Sequence, residues 1–279
     1  MNFKNKVFFT DSRNMSDIPN NSIDLIITSP PYFNIKRYEK DGYQLTSHAN
    51  KHSGQIGDLN NYETYLSEMN KVWKEAERVL APNGKLAINT PLMPMVKKEF
   101  STHYNRDIFD IDADIQSEIR RKTGLYLLDK YIWNRVNSSK RLMFGSYPYP
   151  RNFYANNTSE FITVYVKDGK GSHVSTELKE QSKLTKDEWV LYTKQIWDIN
   201  IPGKNDLAFG KHSAIMPEEI VKRLVKLYSF VGDTILDPFT GSGTTLKVAK
   251  ELHRNYVGYE LYKTYEQIIY EKLNSVLEE

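Results

Sequence analysis

The chain has 279 residues, of which 39% are hydrophobic, 13% aromatic and 26% charged, with a formal net charge of +3 and no cysteine. This composition excludes an intrinsically disordered protein, and no apolar run approaches the ~18 residues that a membrane-spanning helix needs. The lack of cysteine excludes disulfides, thiolate metal sites and a cysteine nucleophile. Residues 1–13 contain too short an apolar stretch for a secretory signal, so we expect a cytoplasmic protein without a membrane partner.

The first third of the chain predicts two strands, a loop and a long helix. Residues 6–10 and 23–28 are short apolar runs, and residues 33–60 form a long polar stretch without periodicity, which is typical of a mobile loop. Apolar residues then recur at steps of three and four from 62 to 80, which predicts an amphipathic helix capped by Asn61.

The rest of the chain alternates between strand and helix patterns. The further predicted elements are a strand at 85–89, a helix at 108–122, strands at 125–133 and 160–166, an irregular segment at 167–194, a helix that starts at Pro217, a strand at 234–237, a helix at 244–252, a strand at 256–260 and a helix at 262–276. Such alternation predicts one α/β domain with insertions, in which helices cover both faces of a parallel sheet.

A glycine-rich turn follows the predicted strand at 234–237. It reads Asp-Pro-Phe-Thr-Gly-Ser-Gly-Thr-Thr, in which Gly241 and Gly243 let the backbone turn tightly and approach a ligand. Glu260 ends the next strand, where a carboxylate can accept hydrogen bonds from ribose hydroxyls. A phosphate-binding loop would need lysine where Thr244 stands. The pattern predicts a nucleoside-bearing cofactor; the alternative is a plain glycine turn beside an acidic strand end.

The turn after the strand at 23–28 reads Ser-Pro-Pro-Tyr. An exocyclic amine on a base is a poor nucleophile, because its lone pair is delocalised, and it needs acceptors that draw its two hydrogens out of the ring plane. The Ser29 hydroxyl and the Pro30 carbonyl are such acceptors, and the two prolines Pro30 and Pro31 hold them in place. Tyr32 offers a ring for stacking on a base removed from the duplex. The tetrad therefore predicts a catalytic site; the alternative is a structural turn after a buried strand.

These motifs resemble those of S-adenosylmethionine-dependent amino-methyltransferases. In that family the motif matched by residues 237–245 binds S-adenosyl-L-methionine, and residues 210–214 with Pro217 resemble the segment that cradles its methionine end. Relatives often have proline where this chain has Ser213, so only a backbone role carries over there. Asp11 would bind the adenine amine and Phe239 would pack near its ring. The cofactor-binding residues that the resemblance implies are Asp11, His212, Ser213, Asp237, Phe239, Gly241, Ser242, Gly243, Thr244 and Glu260.

The resemblance also implies a fold and a motif order. It implies a Rossmann-like, mostly parallel twisted sheet with helices on both faces and a circular permutation, because the tetrad precedes the glycine motif as in beta-type DNA methyltransferases. RNA and protein-glutamine enzymes with similar tetrads usually have the opposite order. Residues 1–166 would form the catalytic half with DNA-facing loops, residues 167–195 a variable segment for target recognition, and residues 196–279 the cofactor-binding half. We expect folding to bring the two motifs into one cleft.

Residues 27–32 look like the signature of N4-cytosine DNA methyltransferases, whereas N6-adenine enzymes more often carry Asp or Asn in the place of Ser29. The implied reaction is direct methyl transfer to the cytosine N4 amine of a flipped base in double-stranded DNA, with a cognate restriction endonuclease as a partner. N6-adenine methylation, an RNA or protein acceptor, and a cofactor-binding regulator without turnover are the alternatives. The oligomeric state stays open.

Basic and aromatic residues alternate between residues 131 and 159, without an acidic residue among them. Such a mixture suits phosphates and an extruded base; the alternative is a solvated basic face over core aromatics. Two histidines in the loop at 33–60, His48 and His52, are typical of solvated side chains, and no metal site is predicted. The candidate DNA-binding residues are Lys36, Arg37, Arg135, Lys140, Arg141 and Arg151.

Overall fold

The computed structural model describes residues 3–33, 54–96, 106–137, 146–153, 155, 157–211 and 215–276. The strands are β1 (Lys6–Phe8), β2 (Ile23–Thr28), β3 (Leu80–Pro91), β4 (Met93–Val96), β5 (Arg106–Phe109), β6 (Tyr126–Arg135), β7 (Ser159–Val166), β8 (Ile196–Ile199), β9 (Thr234–Asp237) and β10 (Asn255–Tyr259). The helices are α1 (Tyr62–Val79), α2 (Ile111–Lys122), α3 (Thr176–Gln181), α4 (Lys186–Tyr192), α5 (Glu218–Tyr228), α6 (Thr244–Glu251) and α7 (Glu266–Asn274).

Eight of these strands form one sheet in the order β1-β10-β9-β2-β3-β7-β6-β8. The first five are parallel, β7 is antiparallel to both of its neighbours, and β8 is parallel to β6. The expected mostly parallel α/β fold is therefore confirmed. Strands from the end of the chain, β9 and β10, lie between β1 and β2 from its beginning, so the last quarter of the sequence supplies two interior strands of the sheet.

Helices cover both faces of this sheet. On one face, Trp73 of α1 and Ile115 of α2 pack in a core cluster with Ile26 of β2. On the other face, Leu224 of α5 packs in a second cluster with Ile27 of the same strand. Neighbouring residues of a strand point to opposite faces, so a central strand buried on both sides reads as a continuous apolar run. This explains why β2 is apolar at almost every position.

Two predictions of secondary structure were wrong. The helix expected at 108–122 begins only at Ile111, where Asp110 caps it by accepting a hydrogen bond from the Ala113 amide (3.2 Å); the residues before it form β5, which pairs with β4. The segment expected to be irregular at 167–194 contains α3 and α4, which begin at the capping residues Ser175 and Thr185. Helices of six and seven residues are too short to display a clear apolar period.

The parallel strands end at one edge of the sheet, which we call the carboxyl edge. The segment at 167–195 leaves β7 and enters β8 at the opposite edge. There the Lys167 ammonium donates to the Leu80 carbonyl (2.8 Å), and the Ser182 hydroxyl accepts from the Val231 amide (2.9 Å). Its role in target recognition stays a prediction. No helix in the part of the chain that the structure describes is long and apolar enough to cross a bilayer.

Candidate active site

The two sequence motifs lie side by side at the carboxyl edge. Strands β2 and β9 are neighbours, and the Thr28 hydroxyl donates a hydrogen bond to a carboxylate oxygen of Asp237 over 2.9 Å. The same oxygen accepts from the Phe239 amide (3.0 Å), and burial raises the pKa of Asp237 to about 6. The expectation that the Ser-Pro-Pro-Tyr turn and the glycine-rich turn are brought together is thus confirmed.

Packing from α1 and the 3-10 turn Ile56–Asp58 holds the Ser-Pro-Pro-Tyr turn in place. The Tyr65 hydroxyl of α1 donates to the Pro31 carbonyl (3.0 Å). Gly57 packs so closely that an added Cβ would lie 3.1 Å from the Tyr32 carbonyl oxygen. The hydroxyls of Ser29 and Tyr32 are 2.7 Å apart. The turn therefore presents the Ser29 oxygen from a backbone that is fixed before a ligand arrives.

Three further polar residues continue from Ser29 across the sheet. The Ser29 hydroxyl lies 3.4 Å from the Asn89 carbonyl oxygen, and the Asn89 amide nitrogen donates to the Glu160 carboxylate over 2.6 Å. Glu160 also pairs with Arg135 (3.2 Å), so this candidate DNA-binding residue has a carboxylate partner. Sequence reasoning missed Asn89 and Glu160. The signal available in the sequence was the polar Asn89 at the end of a predicted apolar strand.

The glycine-rich turn is fastened to β10 by one carboxylate. Glu260 accepts from the Gly241 amide (2.8 Å) and from the Tyr262 amide (2.9 Å), and burial raises its pKa to about 7. Gly243 has φ 85°, and an added Cβ would lie 3.2 Å from the Cα of Ile269. Both glycines of the motif adopt positive φ, with 52° at Gly241, which favours glycine. The turn is consequently narrow and leaves its backbone close to any ligand.

A buried lysine supports the turn from below. The ammonium group of Lys272 lies 2.9 Å from the Thr244 hydroxyl and 3.3 Å from the Ser242 hydroxyl, and it pairs with Asp206 (3.0 Å). Burial lowers the pKa of Lys272. Sequence reasoning did not single this residue out, although a lysine between Ile269 and Leu273 on the buried stripe of α7 was a usable signal.

A cavity of about 650 Å³ borders this support. Its wall includes Lys272 and Asp206 from the cluster below the turn, and Pro217 and Glu218 at the start of α5. Carboxylates and ammonium groups therefore face one space, which suits a ligand that carries both signs of charge.

The remaining predicted cofactor residues are only partly described. Asp11 follows β1, and its carboxylate accepts from the Arg13 guanidinium (2.8 Å) and the Arg13 amide (2.9 Å). Phe239 is half-buried and packs against the core on the α1 side. His212 and Ser213 lie outside the described residues. The ligand contacts of all four stay predictions.

The connection from β6 to β7 also emerges at the carboxyl edge, because β6 is parallel to β3. Its described part exposes aromatic rings at Tyr147, Tyr149 and Phe153, and Arg151 lies exposed between the last two. Four other candidate DNA-binding residues lie outside the described ranges: Lys36, Arg37, Lys140 and Arg141. Binding of DNA by this surface stays a prediction.

A family model described as DNA methylase, for N6 and N4 methyltransferases, matches residues 23–271. Among curated proteins, the type II methyltransferase M.MjaI of Methanocaldococcus jannaschii is 31% identical over 96% of this chain and 90% of its own length. The type II methyltransferase M.MthZI of Methanothermobacter thermautotrophicus is 28% identical over 99% of this chain and 78% of its own length.

Two solved structures are also similar to this chain. A protein of Thermus thermophilus assigned as a DNA modification methylase, in complex with S-adenosyl-L-methionine, is 31% identical with a TM-score of 0.75, over 97% of this chain and 93% of that chain. The cytosine-N4-specific PvuII DNA methyltransferase has a TM-score of 0.64 at 16% identity, over 97% of this chain and 92% of that chain, which shows a shared fold.

Proposed function

The chain belongs to the N6/N4 DNA methylase family, and on this premise we propose that it transfers a methyl group from S-adenosyl-L-methionine to the N4 amine of cytosine at a specific site in double-stranded DNA. The observation that carries the proposal is the Thr28–Asp237 hydrogen bond, which holds the strand before the Ser-Pro-Pro-Tyr turn against the strand before the glycine-rich turn. We also propose that it acts in the cytoplasm beside a restriction endonuclease that recognises the same sequence.

The residues at the glycine-rich turn fit this cofactor. The turn has no side chain at Gly241 and Gly243, so a nucleoside can approach the backbone. Glu260 keeps lone pairs for the ribose hydroxyls after it has accepted the two amide hydrogens. The cavity beside Lys272 and Asp206 offers both signs of charge to the amino and carboxylate groups at the methionine end. Asp11 and Phe239 are assigned to the adenine by resemblance.

When bound, S-adenosyl-L-methionine would supply a methyl group on a sulfonium: its S–C bond breaks as the N–C bond forms, which leaves a neutral thioether, and the methylated amine then releases one proton to solvent. The protein's part is to make the amine nucleophilic. The Ser29 oxygen and the Pro30 carbonyl accept the amine hydrogens and draw them out of the ring plane, so the nitrogen lone pair is freed. Because Tyr65 and Gly57 fix the turn, these acceptors need no rearrangement.

A flipped base also needs a stacking surface and a route out of the duplex. Tyr32 supplies a ring next to the acceptors, and its hydroxyl contact with Ser29 keeps that ring at the turn. The exposed aromatic residues between β6 and β7, together with Arg151, suit the displaced strand and its phosphates. We assign cytosine rather than adenine because Ser occupies position 29. Recognition of the target sequence is assigned to residues 167–195.

One assay tests the proposal. The purified protein is incubated with tritiated S-adenosyl-L-methionine and unmethylated bacteriophage lambda DNA, and the DNA is digested to nucleosides for mass analysis. The expected product is N4-methylcytosine. N6-methyladenine as the product would show that the target base is adenine instead. Label in RNA or protein substrates but not in DNA would move it to another acceptor.

Two serine variants test the catalytic turn in the same assay. We expect no transfer by Ser29→Ala. The matched control is Ser22→Ala at the other end of β2, where the hydroxyl donates to the Pro19 carbonyl (2.7 Å), and it should transfer at the wild-type rate. Equal transfer by Ser29→Ala would remove Ser29 from the mechanism. No transfer to any acceptor by the wild type would favour a cofactor-binding regulator.

A further inference from the structure

Four polar side chains, Ser29, Asn89, Glu160 and Arg135, follow one another across β2, β3, β7 and β6, and we call them the polar row. Ser29 and Asn89 lie two residues beyond Ile27 and Ala87, which both pack in the core cluster on the α5 side. Side chains alternate along a strand, so the polar row continues that face of the sheet to the carboxyl edge. Its first member is the proposed catalytic serine.

The contacts within the row fix the orientation of the Asn89 amide. Glu160 forms an ion pair with the guanidinium of Arg135 (3.2 Å), and an ionised carboxylate can only accept hydrogen bonds. Asn89 must present its amide nitrogen to this carboxylate, as the 2.6 Å contact shows. The side-chain oxygen of Asn89 consequently points away from Glu160 and cannot exchange places with the nitrogen.

That oxygen has no hydrogen-bond donor among the described residues, although Asn89 is only 4% exposed. A buried acceptor without a donor destabilises a folded protein, and a native structure ordinarily pairs it. The neighbouring Ser29 hydroxyl does not supply the donor, because it contacts the Asn89 main-chain carbonyl and the Tyr32 hydroxyl. The row thus holds an acceptor of fixed direction beside the proposed site of methyl transfer.

We propose that the side-chain oxygen of Asn89 accepts a hydrogen from the exocyclic amine of the target base, and that Glu160 and Arg135 are positioning residues that hold it in this orientation. The inference rests on the proposed function. An amine has hydrogens to donate whereas a keto oxygen has none, so a fixed acceptor also selects amino bases over keto bases. Because the amine has two hydrogens, Asn89 shares one of them with Ser29 in a three-centre hydrogen bond, and the Pro30 carbonyl accepts the other.

The test is the rate of methyl transfer to unmethylated lambda DNA under single-turnover conditions. Asn89→Leu removes the acceptor at similar volume, and we expect a rate about 10- to 100-fold lower with an affinity for S-adenosyl-L-methionine near that of the wild type. Its melting temperature should fall, because the buried Glu160 carboxylate loses one donor. The matched control is Asn70→Leu. Asn70 is 9% exposed between α1 and α2, donates to Glu118 and likewise has a side-chain oxygen without a donor among the described residues. It should transfer at the wild-type rate.

A second pair of variants separates the acceptor from the structural hydrogen bond. The double variant Asn89→Asp with Glu160→Gln reverses the bond, because the introduced glutamine donates to the introduced carboxylate, and it retains an oxygen for the amine; we expect a rate within about 3-fold of the wild type. Asn89→Leu with Glu160→Met replaces the pair by apolar groups, which removes the unpaired Glu160 carboxylate along with the acceptor and leaves the partly exposed Arg135 guanidinium to solvent. This variant should stay slow even if Asn89→Leu alone folds poorly.

The outcomes are distinguishable from failure of the proposed function. If the wild type transfers label to DNA, and Asn89→Leu and the double variant Asn89→Leu with Glu160→Met match its rate, the acceptor role of Asn89 is overturned while the methyltransferase function stands. A slow reversed double variant with an unchanged melting temperature would also overturn it. If the wild type methylates no DNA, the proposed function and this inference fall together.

Discussion

Thr28 and Asp237 are 209 residues apart in sequence and share a buried hydrogen bond of 2.9 Å at the carboxyl edge of the sheet. The bond joins the strand that leads into the Ser-Pro-Pro-Tyr turn to the strand that leads into the glycine-rich turn. Because both strands are short and buried, neither turn can move far without breaking this contact. The donor and acceptor sides of the proposed reaction are therefore fixed relative to each other.

Loss of this hydrogen bond should weaken cofactor binding. Thr28→Val keeps the shape of the side chain but leaves the buried Asp237 carboxylate one donor short, so we expect the free energy of unfolding to fall by about 1–3 kcal/mol. The Kd for S-adenosyl-L-methionine, measured by calorimetry, should rise about 10-fold. The matched control is Thr163→Val, because the Thr163 hydroxyl donates to the buried Asp112 over 2.6 Å. It should lose similar stability and keep the wild-type Kd; an equal rise in Kd would mean that only global stability matters.

The stability of the protein should fall as pH rises through neutrality. Burial raises the pKa of Asp237 to about 6 and the pKa of Glu260 to about 7, from 3.8 and 4.5. A raised carboxyl pKa means that the folded state retains a proton that the unfolded state releases. The resulting stability is fully present below about pH 4 and is lost as the pH passes 6 to 7. Urea unfolding from pH 5 to 8 measures this loss.

Glu260→Gln isolates the contribution of one group. The neutral amide cannot ionise, so the free energy of unfolding of this variant should decline less between pH 5 and 8, by on the order of 2–3 kcal/mol relative to the wild type. Glu251→Gln, at the exposed end of α6, is the control and should follow the wild-type curve. If the free energy of unfolding of Glu260→Gln falls with pH as steeply as that of the wild type, the raised pKa of Glu260 is not a source of the pH dependence.

Substitution of Gly243 should lower stability and cofactor affinity through steric crowding as well as through its positive φ. Gly243→Ala combines a positive φ of 85° with a Cβ that would lie 3.2 Å from the Cα of Ile269. Gly232→Ala has nearly the same φ, 84°, with no atom within 4 Å of the added Cβ. We expect the second variant to lose about 1–2 kcal/mol of stability and keep its cofactor affinity. The first should lose more stability and bind S-adenosyl-L-methionine at least 10-fold more weakly; identical behaviour of the two would contradict this.

The exposed segment between β6 and β7 should contact DNA in two different ways. Arg151→Gln should lower the slope of log K against log salt by about 0.9, because one phosphate contact is lost. Tyr149→Ala should weaken binding without changing the slope, because stacking involves no counterion release. The control Lys6→Gln lies exposed at the start of β1, at the opposite edge, and should change neither. Fluorescence anisotropy at several salt concentrations measures all three, and an equal change for Lys6→Gln would remove the special role of the segment between β6 and β7.

Local signals in the sequence were sufficient for much of the fold. Strands β2 and β9 have the predicted bounds, and the predicted helix at 62–80 ends within one residue of α1, where Asn61 accepts the Thr64 amide hydrogen (2.9 Å). Each of these elements is long or apolar enough to show its period, or is bounded by a clear cap. The short elements α3, α4, β4 and β8 were missed because four to seven residues carry too little pattern.

The sequence by itself determined the two turns and the chemistry they suggest, because each turn is contiguous and its proline or glycine residues restrict the backbone locally. Only the tertiary structure decided that β9 lies beside β2, that Asn89, Glu160 and Arg135 extend from Ser29, and that Lys272 supports the glycine-rich turn. Apolar periodicity reports which side of an element is buried but not which strand becomes its neighbour. Strand order depends on pairings between distant segments, and side chains from different strands meet only after those pairings have formed.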